Sequence, residues 1–248
     1  VNIPLLYPNV EDHLKIIIEE NVKIVFTSAG NPKKYTSLLH DNGITVAHVV
    51  ANKRFALKCL EANVDVIVAE GFEAGGHNGI EEITTMCLIP MIRDVIKIPL
   101  IAAGGISSGK SMLAAMILGA DGVQIGSRFA ASYESSAHDK FKQEIINANE
   151  GDTELTLKEL TPVRMMKNNF YNKIQEAYAK NASKEQLSNL LGRGRAKKGM
   201  FEGDLHNGEL EIGQISAIIN NIKPVSEIMS NIIDEYKVIL SSLKSYQL

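Results

Sequence analysis

The sequence predicts an α/β fold, in which short β-strands alternate with amphipathic helices over the first half of the chain. Runs of β-branched residues recur about every 20 to 35 residues and are separated by segments with helical spacing, a pattern typical of βα units on a parallel sheet. Glycine-containing loops follow the last three of these runs, at the end of the strand where enzymes of this class carry their chemistry. The chain has 248 residues, of which 45% are hydrophobic, so it can bury a full core.

The strands are expected where apolar, β-branched residues are densest. The predicted segments are 24–28, 45–50, 64–69, 100–103 and 122–125. Val1-Asn2-Ile3 looks like the end of a further strand. These strands are too few to close an eight-stranded barrel, so we expect either an open sheet or a barrel whose first strands lie outside this sequence.

The helices are marked by the residues at their ends. Asn31-Pro32 supplies a cap and a first-turn proline for a helix at 33–40, which Gly43 terminates. Another helix is expected at 111–118.

The second half of the chain has a different pattern. From about Ser135 onward it is almost wholly helical, interrupted at 192–199 and by a loop at 202–213, which predicts a helical lobe after the sheet. The final segment, 215–243, predicts one or two amphipathic helices, broken before Pro224.

The stretch EGFEAGGHNG, residues 70–79, is the most informative in the chain. It follows the predicted strand at 64–69, and its glycines allow the backbone to approach a flat ligand closely. His77 is the candidate catalytic acid or base, because an imidazole can donate from one nitrogen while it accepts at the other. A solvated loop histidine without a role is the competing interpretation.

Residues 104–111, GGISSGKS, match two short motifs that indicate other chemistry. They fit the phosphate loop of nucleotide triphosphatases, and the internal G-x-S-x-G fits a hydrolase elbow with Ser107 as nucleophile. A phosphate loop also needs a second strand that ends in a magnesium-binding aspartate, whereas the strand at 122–125 ends in Gly126-Ser127. An elbow serine needs an acid and a histidine downstream, and no recognisable strand-end loop supplies the histidine. Both interpretations are therefore disfavoured.

The same glycines fit a third interpretation. Gly104-Gly105 and Gly126-Ser127 follow two consecutive predicted strands, and each pair offers backbone N–H groups with no bulky side chain in the way. The loops after the last two strands of a (β/α)8 barrel form its usual phosphate site. The phosphate of flavin mononucleotide (FMN) would fit this cradle, with the ring toward His77.

Charge and composition exclude several classes of protein. A formal net charge of −3 argues against nucleic-acid binding. Cys59 and Cys87 have no metal-ligand spacing, which predicts reduced thiols, no metal site and a cytoplasmic protein. No apolar run is long enough to cross a membrane, and no leader is recognised at the start.

Four segments together resemble the nitronate monooxygenases, formerly called 2-nitropropane dioxygenases, and their flavin-dependent enoyl-acyl-carrier-protein reductase relatives. They are EGFEAGGHNG (70–79), IPLIAAGGI (98–106), ADGVQIGSRF (120–129) and GRGRAKKGMFEGD (192–204). The resemblance runs from Val1 almost to the C-terminus. It implies an FMN-bound (β/α)8 TIM-type barrel formed by residues 1–133 and 213–248, with a helical lobe at 134–212 over the flavin.

The resemblance also implies roles for individual residues. His77 corresponds to the family's active-site histidine. The positions that correspond to cofactor-binding residues are Asn2, Gly104, Gly105, Gln124, Ile125, Gly126 and Ser127. Because Asn2 corresponds to an asparagine at the end of the third barrel strand, about sixty-five residues of a complete barrel would precede Val1.

Three functions are compatible with these residues. In the leading hypothesis, FMN and dioxygen oxidise an alkyl nitronate to a carbonyl compound and nitrite, and His77 binds the nitro group or removes a carbon-bound proton. In the alternative, NAD(P)H reduces an enoyl thioester through FMN. Asn78 stands where many nitronate-oxidising members carry arginine, which removes an anion partner. The third is a flavoprotein-like scaffold without activity. A small molecule is the expected partner, and a homodimer is the assembly considered.

Overall fold

The computed structural model describes residues 1–243 and confirms the predicted α/β class. The strands are β1 (Asn2–Pro4), β2 (Ile24–Ser28), β3 (Thr45–Val50), β4 (Val66–Glu70), β5 (Gly76–His77), β6 (Leu100–Ala103), β7 (Gly122–Gln124), β8 (Thr153–Thr156) and β9 (Val163–Met166). The α-helices are α1 (Val10–Glu19), α2 (Thr36–Asp41), α3 (Lys53–Glu61), α4 (Thr85–Arg93), α5 (Gly109–Ile117), α6 (Ser127–Ala130), α7 (Asp139–Asn147), α8 (Asn169–Ala179), α9 (Lys184–Leu191), α10 (Arg195–Met200) and α11 (Val225–Leu243). Among residues 1–243, no helix is both long enough and apolar enough to cross a membrane.

The chain divides into two compact units. The first unit consists of Val1–Gly71, Ile83–Ala103 and Ala115–Gln124, and the second of Phe72–Glu82, Gly104–Ala114 and the chain from Ile125 onward. The division expected from the family resemblance, 1–133 with 213–248 against 134–212, stays a prediction. Residues 244–248 of that division lie outside the described residues.

The first unit is built on six parallel strands in the order β1-β2-β3-β4-β6-β7. Three strands have the predicted bounds, and β4 begins and ends slightly later than predicted. The predicted strand fragment at the start of the chain is β1, at one edge of the sheet, and β7 forms the other edge. These βα units are those of a (β/α)8 barrel, and β1 and β7 do not pair with each other among the described residues.

The core of the first unit lies between the sheet and its helices. Helix α1 buries Val10, Leu14 and Ile17, which lie on one helical face, against strand residues such as Val25 and Val46. Each large apolar side chain buried in this way contributes about 1.5 to 3 kcal/mol before entropy is counted.

Two aspartates tie the amino ends of neighbouring strands together. Asp65, just before β4, accepts the Val46 amide of β3 at 2.7 Å, and Asp121, just before β7, accepts the Leu100 amide of β6 at 2.8 Å. His40 Nε2 lies 2.8 Å from the same Asp65 oxygen. These two aspartate–amide hydrogen bonds fix the register of both strand pairs at the amino ends of the strands. In barrel enzymes, residues at this end contribute to stability.

The predicted helix at 33–40 is divided in two. Asn31 caps a 3-10 turn at Pro32–Lys34 by accepting the Lys33 amide, as its sequence indicates, and α2 begins only at Thr36. The last segment follows the prediction, with a 3-10 turn at Gln214–Ile218 and then α11 directly after Pro224.

The second unit corrects the expectation of an almost wholly helical region after Ser135. Helices α7 to α10 lie there, but β8 and β9 join β5 in an antiparallel sheet of order β5-β9-β8. Strand β9 is buried at every residue, and β8 is short, so neither shows the alternation of polar and apolar residues that identifies a strand in a sequence.

Within the second unit, the backbone of the glycine-rich loop lies directly on the segment that precedes the Gln214 turn. A Cβ atom on Gly75 would lie 2.3 Å from the carbonyl carbon of Ile212 and 2.5 Å from the Gly213 nitrogen. Only glycine allows two main chains to approach so closely.

His48 is a buried titratable group on β3. It is 4% exposed, and its Nδ1 lies 2.7 Å from the Thr27 hydroxyl, which in turn donates to the Ala47 carbonyl. Since the hydroxyl proton is used there, the ring donates from Nδ1. Burial lowers the pKa of His48 to about 4, so the folded protein holds the ring neutral.

Acid should therefore destabilise the protein through His48. An unfolded histidine titrates near 6.5, so protonation favours unfolding as the pH falls from about 6.5 to 4, with a loss of about 2 to 3 kcal/mol. Urea unfolding at about pH 7.5 and about pH 4.5 measures this loss. His48→Gln should lose less stability than the parent, whereas the exposed control His13→Gln should lose as much. Equal losses in parent and His48→Gln would contradict the assignment.

Gly75→Ala should destabilise the protein by about 1 to 3 kcal/mol or more, because the added methyl group overlaps the main chain of residues 212–213. Gly122→Ala is the matched control. No atom lies within 4 Å of its Cβ position, so its free energy of unfolding should stay within about 0.5 kcal/mol of the parent. If thermal and urea unfolding gave the two variants the same stability, the two backbones would not be in contact.

Candidate active site

The carboxyl ends of β4, β6 and β7 lie level at one edge of the parallel sheet. Glu70 pairs with Ala103, and Ala103 pairs with Gln124. The chain leaves these paired residues to enter the loops that begin at Gly71, Gly104 and Ile125. Burial raises the pKa of Glu70 to about 7, so this carboxyl group can hold a proton near neutral pH.

Two of the predicted cofactor residues belong to the first unit. Gln124 is the last residue of β7, and it pairs with Ala103 at the carboxyl ends of the strands. Asn2 is exposed and is the first residue of β1, rather than the last, and it pairs with Phe26 of β2. The other predicted residues, with His77, belong to the second unit.

Glu73 and Gly213 bring the two predicted phosphate loops together in the second unit. The Glu73 side chain lies 3.4 Å from where a Cβ on Gly105 would stand. The Glu73 carbonyl accepts the Gln214 amide at 2.9 Å, and the neighbouring Gly213 amide donates to the Ser127 hydroxyl at 3.0 Å. Glu73 lies beside the loop of Gly105, and Gly213 is hydrogen-bonded to the loop of Ser127, so this pair of residues connects the two loops.

Gly126 leaves room where a side chain would stand, whereas a side chain on Gly105 would meet Glu73. Gly104 and Gly105 have φ angles of +88° and +70°, which other residues rarely adopt. Around Gly126, at the start of α6, no atom lies within 4 Å of the Cβ position. Open space beside glycine backbone and the start of a helix is the form of site that holds a phosphate group.

His77 lies on the short strand β5 and is exposed. It pairs with Val163 of β9, which fixes its backbone. The Asn78 side chain donates to the carbonyl groups of Ala74 and Gly76, at 2.8 and 3.2 Å. Asn78 therefore closes the loop on itself and does not supply the anion partner that an arginine there would offer.

Arg164 on β9 supports this loop from inside the unit. It is 1% exposed, its Nε donates to the Phe72 carbonyl at 3.1 Å, and its guanidinium group lies 4.4 Å from the centre of the Phe72 ring. Burial lowers its pKa, while the negative charges of Glu73, Glu82 and Glu154 oppose that change. Its Nη2 has no hydrogen-bond partner among the described residues.

Two buried carboxyl groups follow in the segment before Gly213. Burial and the charge of Glu211 raise the pKa of Glu209 to about 7. Burial likewise raises the pKa of Glu211, and the neighbouring imidazole of His77 pulls it down. Both groups thus bind protons more readily than free glutamates do.

Sequence reasoning missed the segment around Gly213 as part of the site. Residues 202–213 had no strand or helix pattern and were interpreted as a loop. A signal was present in Gly213 itself, which follows an apolar residue and precedes a helical turn, as the glycines of the two phosphate loops do. Arg164, a lone charge in a buried strand, carried no signal that relates it to the loop at 72–82.

The contacts at the start of helix α5 exclude the phosphate-loop interpretation of residues 104–111. The Gly109 amide at the start of α5 donates to Glu235 at 2.7 Å, and Lys110 lies 3.6 Å from the same carboxylate. The protein's own anion therefore takes the place that a nucleotide phosphate would need. Ser107 lines a cavity of about 430 Å³, whose lining includes no histidine among the described residues.

Comparisons with known proteins identify the family of this chain. A profile of the nitronate monooxygenase family matches residues 5–235. The chain is 32% identical, over 237 residues, to a probable nitronate monooxygenase of Staphylococcus aureus, with 92% of this chain and 66% of that relative covered. The chain therefore spans slightly less than two thirds of the length of the curated relatives that it matches.

Two solved structures are also similar to this chain. FabK from Thermotoga maritima is 40% identical, with a TM-score of 0.93, and the match covers 100% of this chain and 78% of that chain. A nitroalkane oxidase from Streptomyces ansochromogenes, at 24% identity and a TM-score of 0.79, shares the fold over 94% of this chain and 70% of that chain. With the profile matching nearly the whole length, this chain belongs to the nitronate monooxygenase family.

Proposed function

We propose that this protein is an FMN-dependent oxidoreductase that oxidises alkyl nitronates with dioxygen to a carbonyl compound and nitrite. The observation that carries the proposal is the position of the Glu73 side chain beside Gly105, together with the hydrogen bond from the Gly213 amide to Ser127, so that two glycine-containing loops lie next to the His77 loop. Family membership supports the same class of reaction.

The proposed cofactor residues divide by task. Backbone amides of Gly104, Gly105, Gly126 and Ser127 would hold the phosphate of FMN, as the open space at Gly126 allows. Gln124, Ile125 and Asn2 would contact the remainder of the cofactor. When bound, FMN would supply the electron transfer.

His77 would act on the substrate directly. Its imidazole is exposed, so a small molecule can reach it, and its backbone is fixed by the pairing of β5 with β9. The ring can hydrogen-bond the nitro group of a nitronate, or accept the carbon-bound proton of a neutral nitroalkane.

We further propose a cytoplasmic location, with both cysteines reduced. Burial raises the pKa of Cys59 to about 12, which keeps its thiol protonated and unreactive. The division into a barrel and a lobe at 134–212, and a homodimeric assembly, belong to the same proposal.

Reduction of an enoyl thioester with NAD(P)H is the second candidate function. Its specific support is Asn78, whose side chain is bonded to Ala74 and Gly76 and leaves no fixed cation for a nitronate. The 40% identity to FabK, an enoyl-acyl-carrier-protein reductase, supports it as well.

Two measurements on the purified protein test these functions. We expect a yellow protein with a flavin absorption spectrum, bleached without oxygen by propionate 3-nitronate faster than by NAD(P)H. Bleaching by NAD(P)H alone would establish the second candidate, and a colourless protein would overturn both.

With a neutral nitroalkane as substrate, His77→Ala should lower turnover by about 10² to 10⁴-fold, as expected when a general base is removed, while the flavin stays bound. His206→Ala is the matched control, because that histidine is also exposed in the second unit. Equal rates in the parent and His77→Ala would remove His77 from the proposed role.

A further inference from the structure

We infer that Glu211 is a positioning residue for His77, which holds the His77 loop in place and stabilises positive charge on the imidazole. The inference rests on the role proposed for His77, but it concerns an electrostatic interaction between Glu211 and His77 that can be measured without cofactor or substrate.

The backbone places Glu211 beside the loop. Along one side of β9, Val163 pairs with His77, Arg164 pairs with Gly76, and Met165 forms an antiparallel bridge with Glu211. Glu211 therefore takes the next position along β9 after Gly76, and Gly75 turns away across Ile212.

The side chain of Glu211 lies on Gly76. Its Oε2 is 2.7 Å from the Cβ position of that glycine, so any side chain there would displace the carboxylate. Gly76 also has a φ angle of +78°, which favours glycine independently. The residue next to His77 thus lacks a side chain where the carboxylate lies.

Charge connects Glu211 to His77 as well. The imidazole of His77 lowers a Glu211 pKa that burial would otherwise raise further. The other charged groups nearby are Glu209 on the same segment, Arg195 of α10, which acts on Glu209, and Arg164 of β9, which faces Glu73. Among these groups, only His77 opposes the effect of burial on the pKa of Glu211.

This arrangement has a defined effect on the proposed reaction. When a neutral nitroalkane transfers its carbon-bound proton to the His77 ring, the ring gains a positive charge and the substrate becomes an anionic nitronate. A carboxylate beside the ring stabilises that charge, and Glu211 itself need not change its protonation state. A substrate supplied as the nitronate has already lost this proton.

The choice of substrate therefore separates positioning from simple structural support. In Glu211→Gln, which keeps the shape and removes the charge, kcat for a neutral nitroalkane should fall about tenfold, while kcat for the preformed nitronate changes less than about twofold. Glu211→Asp should recover part of the loss. The matched control Glu185→Gln, which changes an exposed glutamate of the second unit, should leave both rates unchanged. Equal losses with both substrates would reduce Glu211 to a structural residue and overturn the inference.

A second measurement does not depend on turnover. The carboxyl carbon of Glu211, assigned through Glu211→Gln, can be titrated by ¹³C NMR in the parent and in His77→Asn. We expect the pKa of Glu211 to rise when the imidazole is removed, and to stay unchanged in the control His206→Asn. An identical titration in parent and His77→Asn overturns the inference. A rise in a protein that does not oxidise nitronates supports the contact and instead overturns the proposed function.

Discussion

The candidate site depends on a contact between two stretches of main chain, in which Gly75 lies against Ile212 and Gly213. Because no side chain separates them, the Gly213 amide comes within bonding distance of Ser127, and Gln214 reaches the carbonyl group of the Glu73 loop. Side chains could not be exchanged freely at such a contact, since each added carbon atom would move both stretches. The position of the His77 loop and the shape of the proposed phosphate cradle therefore both depend on this contact.

Stability and chemistry are assigned to opposite ends of the parallel strands. At the amino ends, Asp65 and Asp121 each accept an amide of the neighbouring strand and fix its register. At the carboxyl ends, Glu70 and Gln124 stand level with Ala103, and glycine follows directly after Glu70 and Ala103. The register that is fixed at the amino ends thus keeps the carboxyl ends of these strands level, and barrel enzymes carry their chemistry at that end.

The sequence predicted the parallel strands well, because most are short runs rich in β-branched residues, and a glycine lies within two residues after β2, β4, β6 and β7. Both signals are local. It did not predict β8 and β9, since Val163–Met166 is buried throughout and includes a charged residue, so no alternation marks it. Likewise, His77 was proposed from its own loop, whereas Arg164 and Glu211 act on that loop from about ninety residues or more away in the chain, a distance that no sequence pattern spans. A candidate residue within one loop could be proposed from the sequence, whereas the residues that support the loop could not.

The supporting residues make the second unit electrostatically costly. Arg164 is buried with one guanidinium nitrogen unpaired, and Glu209, with its pKa near 7, must ionise in a buried position as the pH rises above neutrality. A carboxyl group with a raised pKa stabilises the fold while it is protonated and loses that contribution as the pH rises through 7. An uncharged core would avoid this loss. Retention of these charges beside the His77 loop is understandable if they position that loop, because a site that must handle a proton needs fixed charges nearby.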